Sequence, residues 1–272
     1  MVCSLSKIVS VALIATTNTT TIKMTKISLL LASMALALSG ATQADQLEDI
    51  QKSGTLRVGT TGDYKPFSYF DGKSYSGYDI DVAQYIAEQL GVELQIVRTT
   101  WKDLITDLDN DKYDIVMGGI TRKMQRQLSA EQTQGYMTFG KCFLVAKGKT
   151  EQYNSIEKVN LSSVRVGVNI GGTNEMFANA SFTRYENNLD VPLAVAEGKV
   201  DVMVTETPEG VFYQVTDEHL EADRCETPFT NSQFGYLIPK GEQRLFNTVN
   251  FIMDEMKLKG VEEEFLIHNS LK

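Results

Sequence analysis

With 272 residues, 42% of them hydrophobic, the chain is long enough to bury the cores of two domains. Its 26 lysines and arginines face 35 acids, a formal charge of −9, which argues against nucleic acid or an anionic membrane as partner. The two histidines are far apart, no His/Cys group has metal-ligand spacing, and no Gly-x-Ser-x-Gly element supports a hydrolase triad.

The first 44 residues carry Lys7, Lys23 and Lys26 and no acid. An apolar run, Ile27 to Leu38, precedes Ser39-Gly40-Ala41-Thr42-Gln43-Ala44, which places small residues at −3 and −1 of a cut after Ala44. This is the pattern of a secretory signal peptide, against a retained membrane-surface helix as the alternative. The run falls short of the ~20 apolar residues that span a bilayer, so no membrane insertion of the mature chain is expected. Met24 is an alternative start. Cleavage leaves 228 residues, with 23 cations against 35 acids and a formal charge of −12, and implies a periplasmic location. It also removes Cys3 and keeps Cys142 and Cys225. Export permits a disulfide between these two; buried free thiols are the alternative, and the disulfide is the expectation adopted.

Leu56 to Thr60 reads as a buried strand entering the loop Thr61 to Pro66. Val82, Ala83, Ile86, Ala87 and Leu90 repeat at helical spacing, and Gly91 ends that helix. Val92 to Val97 is a strand, a helix begins near Trp101, and Asp114 to Gly119 is a strand running into a glycine turn. Val164 to Val168 repeats the pattern, and Gly171-Gly172-Thr173-Asn174-Glu175 predicts a turn into a helix. Strands alternating with helices predict parallel sheets. Asp111-Lys112-Tyr113-Asp114 and Gly198-Lys199-Val200-Asp201 each precede an apolar strand, once in each half. The fold class is therefore α/β with two similar lobes: residues 45–141 plus 234–272, and residues 142–233. Hinges are expected at about Lys141 and Phe234. Ligands of open α/β sheets bind beyond the carboxyl ends of the strands, which here is an interlobe cleft.

Five groups fall on such ends, each with a plainer explanation. Asp63, in the first loop, contacts ligand or caps a turn. Trp101, the only tryptophan, lines the cleft or packs in a core. Gly118-Gly119-Ile120-Thr121 leads to Arg126, which can grip a carboxylate with a two-pronged fork or form a surface ion pair. Gly171-Gly172-Thr173 offers amides to an anion, while Glu175 complements a helix dipole. Thr205-Glu206-Thr207-Pro208-Glu209 follows an apolar strand; Pro208 suits a helix first turn, where acids are also common as caps.

Taken in order, these groups resemble the periplasmic solute-binding proteins of the polar amino-acid class, across Leu47 to Leu271. Gly59 to Pro66, Tyr78-Asp79-Ile80-Asp81-Val82-Ala83, and Gly119-Ile120-Thr121 with Arg126-Gln127 carry the likeness. Within that class the chain is similar to the cyclohexadienyl dehydratases, exported enzymes on the binding-protein fold. Here the likeness rests on Thr60 to Pro66, Trp101, Gly140-Lys141, Gly171 to Glu175 and Glu209. Transport members usually place an apolar residue where this chain has Glu209. The resemblance implies loss of carbon dioxide and water from prephenate, giving phenylpyruvate, or from arogenate, giving phenylalanine. Glu209 would protonate the leaving hydroxyl. Arg126, Thr121 and the amides from Gly171 through Gly172 to Thr173 would hold the side-chain carboxylate. Lys141 would serve either carboxylate, and Asp63 and Asn174 would orient the ring or its hydroxyl. No metal or organic cofactor is implied. The chain departs from the pattern at Glu206, where aspartate is usual, at Gln125, and in a short Ser181–Val191 stretch. The second reading is an amino-acid receptor that delivers its ligand to an ABC permease; in it Glu209 would only shape the pocket.

Overall fold

The computed structural model describes residues 45–175 and 180–272. The expected signal peptide lies outside the described residues. Among the described residues no helix is long and apolar enough to cross a membrane.

Two five-stranded sheets organise the two lobes. In the first, the spatial order is Glu93–Arg98, Thr55–Thr60, Ile115–Val116, Leu237–Ile238 and Glu131–Gln132. In the second it is Ser181–Tyr185, Arg165–Asn169, Val202–Glu206, Lys141–Ala146 and Leu220–Asp223. The sheets are mixed where parallel ones were expected. Thr55–Thr60 runs parallel to both its neighbours, and so does Arg165–Asn169. Leu237–Ile238 and Lys141–Ala146, which adjoin the crossings between lobes, pair antiparallel. The two crossings themselves pair as a ribbon, Met137–Phe139 against Ser232–Phe234.

The sequence echo between the halves has a structural basis. Asp114 accepts from the Arg57 amide at 2.7 Å and from its guanidinium at 2.6 Å. Asp201 accepts from the Arg165 amide at 2.8 Å and from its guanidinium at 2.6 Å. In each lobe an acid at the foot of one central strand fastens the start of its neighbour.

Helix Tyr78–Leu90 packs Val82, Ala83, Ile86 and Ala87 into the first core and stops at Gly91 in a left-handed turn, φ 71°. From its first turn, buried Asp79 accepts the amides of Gly118 and Gly119 and the hydroxyls of Tyr136 and Tyr236. Burial raises the Asp79 carboxyl to about 6 against the pull of these four donors. Gly119 needs its lack of side chain: φ is 67°, and a Cβ would lie 2.3 Å from the Tyr64 ring. Asp79 thus clamps the turn that forms one wall of the cleft.

The Gly171 to Glu175 turn is present, but the helix expected after it would start at residues 176–179, outside the described residues; strand Ser181–Tyr185 follows. Glu175 ion-pairs with Arg184 on that strand, so its charge serves a neighbour in the same lobe.

Candidate active site

Strand Val202–Glu206 is buried along its whole length because both its faces are covered. It ends in Glu206 and passes directly into helix Thr207–Thr216, with Pro208 at the helix start. Glu206 sits opposite Lys141 in the antiparallel ladder, so the backbone register brings their side chains together. They form a buried ion pair. The Glu206 carboxylate also accepts from Tyr64 Oη at 2.7 Å and Thr173 Oγ1 at 3.0 Å, with Asn174 Nδ2 at 3.5 Å. Lys141 donates in addition to Thr173 Oγ1 at 2.7 Å and to Asn174 Oδ1.

Glu209, in the helix first turn, is fully buried at 0% exposure. Asn188 Nδ2 donates to it at 2.6 Å and Thr205 Oγ1 donates to its other oxygen. No cation lies within ion-pair distance of it among the described residues. Burial therefore pushes its carboxyl well above the usual carboxylate range, and the charge of Glu206 pushes it further. Burial acts on Glu206 the same way, but the Lys141 ammonium, Tyr64 and Thr173 outweigh it and hold that carboxyl below the usual range. Two acids three residues apart are thus shifted in opposite directions, Glu209 toward its neutral form and Glu206 toward its ionised form, as in acid–base pairs of enzymes.

A cavity lies between the lobes, lined by Tyr64, Trp101, Thr121, Arg126, Thr173 and Glu206 among others. It measures about 10 Å³, room for about one water molecule, so the cleft is closed and a larger ligand requires it to open. Gly119, Gly172, Asn174 and Asn188 also contribute to the wall. Asp63, Lys141 and Glu209 lie one layer behind, each touching a residue of the wall. Asp63 accepts Trp101 Nε1 at 2.9 Å and the amide of Asn188 at 2.9 Å, so it fixes two wall residues across the cleft instead of facing the cavity. Trp101 stands edge-on to Tyr64, ring centroids 5.6 Å apart.

Arg126 is 4% exposed and donates Nη1 to the Thr121 carbonyl at 2.9 Å. No carboxylate of the described residues lies within ion-pair distance. Burial lowers its guanidinium to about 10, partly countered by Glu206. A buried cation with a fork of free donors, facing a cavity, is built to receive an anion.

Tyr64, Asn169, Asn188 and Thr205 were not singled out as site residues from the sequence. Thr205 carried a signal, standing on the strand end one turn before Glu209. Asn188 carried none.

Cys142 and Cys225 form a disulfide across 83 residues. It packs on Gly210, next to Glu209; a Cβ there would lie 2.7 Å from Cys225 Sγ and 3.1 Å from Cys142 Sγ. Gly210→Ala is expected to lower stability, because overpacking costs about 1–3 kcal/mol against the ~1 kcal/mol that alanine returns in helix propensity. Denaturant unfolding checks this; a more stable variant would mean that the helix does not rest on the disulfide.

The model of the bacterial extracellular solute-binding proteins, family 3, matches residues 56–266. The chain is 36% identical to the cyclohexadienyl dehydratase of Pseudomonas aeruginosa over 78% of this chain and 82% of that protein. The crystal structure of an ancestral amino acid-binding protein, a precursor of cyclohexadienyl dehydratase, superposes with a TM-score of 0.78 at 36% identity, covering 82% of this chain and 99% of that one. A crystal structure of an ancestral cyclohexadienyl dehydratase superposes with a TM-score of 0.54 at 47% identity, covering 83% and 96%.

Proposed function

The chain belongs to family 3 of the bacterial extracellular solute-binding proteins, and from that membership we propose that it is an exported lyase of the cyclohexadienyl dehydratase type. It converts prephenate to phenylpyruvate, or arogenate to phenylalanine. The observation that carries the reading is Glu209: a fully buried carboxyl with no cation partner among the described residues, shifted toward its neutral form by burial and by Glu206, where a receptor needs no acid.

Arg126 grips the side-chain carboxylate of the substrate, with the Thr121 hydroxyl beside it. The cleft opens to admit the ring, and the ring hydroxyl reaches Glu209, one layer behind the wall, as the lining side chain of Asn188 that touches it gives way. The ring C–carboxylate bond breaks and its electron pair enters the ring. The C–O bond breaks as Glu209 gives its proton, and water leaves with carbon dioxide. Glu209 is left as carboxylate and regains its proton from solvent. The ring becomes aromatic, which drives the reaction, while the acid makes hydroxide a better leaving group, an effect typically worth ~10²–10⁴-fold. The ring carboxylate leaves as a neutral molecule, so a tight cation on it would oppose the step.

The competing reading is a receptor, and a specific observation favours it: the backbone likeness to an ancestral amino acid-binding protein. Such a receptor would deliver an amino acid to an ABC permease. Mixing the purified protein with prephenate separates the two. The lyase gives a rise in aromatic absorbance over many turnovers. A receptor gives none and binds a cationic amino acid in titration.

The reading also expects export. The intact mass of protein taken from the periplasm should begin at Asp45; a mature chain that retains Met24 contradicts it.

A further inference from the structure

We propose that the cleft selects an α-keto carboxylate over the corresponding α-amino acid, with the Lys141–Glu206 pair as the specificity determinant. On the dehydratase reading, on which this rests for its substrates, prephenate is preferred to arogenate.

Among the residues lining the cavity Glu206 is the one acid. An incoming α-ammonium brings three donors and no acceptor, and its natural partner is a carboxylate. Glu206 is already occupied. One oxygen takes Lys141 and Thr173, and the other takes Tyr64, with Asn174 at its edge. The three N–H bonds of Lys141 are spent in turn on Glu206, Thr173 and Asn174. To serve an α-ammonium, Glu206 would have to release Lys141, leaving a buried ammonium unpaired and two cations beside one carboxylate. The pair is set by the ladder register of two central strands, so it does not yield as a loop side chain would.

Asn188 Oδ1 on the wall is an acceptor without a partner, but it carries no charge to balance an ammonium; the charged group the wall leaves free is a donor. The Arg126 fork has given one N–H to the Thr121 carbonyl and keeps the rest. An α-keto carboxylate presents acceptor oxygens alone and meets that wall without displacing anything. An α-amino acid presents the same carboxylate, but its ammonium meets an occupied partner.

The test compares the two ligand types in wild type and in Lys141→Met. Wild type should show kcat/KM for prephenate about 10- to 100-fold above that for arogenate, the scale of one unpaired buried polar group. Calorimetry should give the same order for phenylpyruvate over L-phenylalanine. In Lys141→Met, Glu206 is released to accept the α-ammonium, and the ratio should collapse or invert. Equal use of both substrates by wild type, preference for the amino form, or a folded Lys141→Met that keeps the wild-type ratio would overturn the inference. If Lys141→Met does not fold, the wild-type ratio alone decides. If neither substrate turns over, the dehydratase reading fails by itself, and the binding order of phenylpyruvate and L-phenylalanine still decides this inference. A folded wild type that binds neither overturns both.

Discussion

Glu209→Gln is expected to lower prephenate turnover by about 10²-fold or more while prephenate affinity barely changes. Glutamine keeps the size, its carbonyl still accepts from Asn188 and its amide can donate to the Thr205 hydroxyl, but it has no acidic proton to give. The loss should therefore appear in kcat and spare KM. Glu206→Gln tests the neighbour. Its carboxylate is bound to Lys141, Tyr64 and Thr173, so it orients the wall and repels charge from Glu209. Its loss leaves Lys141 buried without a counter-ion and should damage stability more than the chemical step. Steady-state kinetics beside unfolding curves checks both. If turnover survives Glu209→Gln, the activity stands but the assignment of the acid is wrong.

Arg126→Ala is expected to weaken the binding of any carboxylate ligand by about 2–5 kcal/mol, the range for losing one side of a buried charged pair. Calorimetry with prephenate and phenylpyruvate checks this, and unchanged affinity would remove Arg126 as the anchor. Lysine should restore only part of the loss, because a point charge cannot reproduce the two-pronged contact. Arg126→Met should leave the ligand-free protein as stable as wild type or more so, since the guanidinium is buried without a carboxylate partner.

Much of this site was legible in the sequence because its residues stand at strand ends and first turns, which local pattern reveals. Glu206 and Glu209 follow an apolar run and flank Pro208; Arg126 lies on the helix after the Gly118-Gly119 turn. Their partners were not legible, because those depend on which strands lie side by side. The Lys141–Glu206 contact comes from register between strands 65 residues apart. The Asn188 contacts to Asp63 and Glu209 span 125 and 21 residues. Asp63 was expected to orient the ring or its hydroxyl, but its two oxygens are spent on Trp101 and Asn188. The mixed sheets were missed because alternation of strand and helix says nothing of the strand that returns from the other lobe. The short echo of Asp114 and Asp201 held more than its length suggested, since each acid fastens an arginine on the neighbouring strand.

The pH profile of prephenate turnover tests the central claim, a neutral Glu209 acting as acid, most directly. Burial and Glu206 raise the Glu209 carboxyl well above its usual range, so its proton is kept to higher pH than an ordinary carboxyl keeps it and is lost as pH rises through that raised value. The expected kcat is flat through neutrality and then declines at high pH, with an apparent pKa belonging to the coupled Glu206–Glu209 pair. A kcat that instead rises with pH through the ordinary carboxylate range, near 4.3, would mean that the ionised form is the active one and would contradict it.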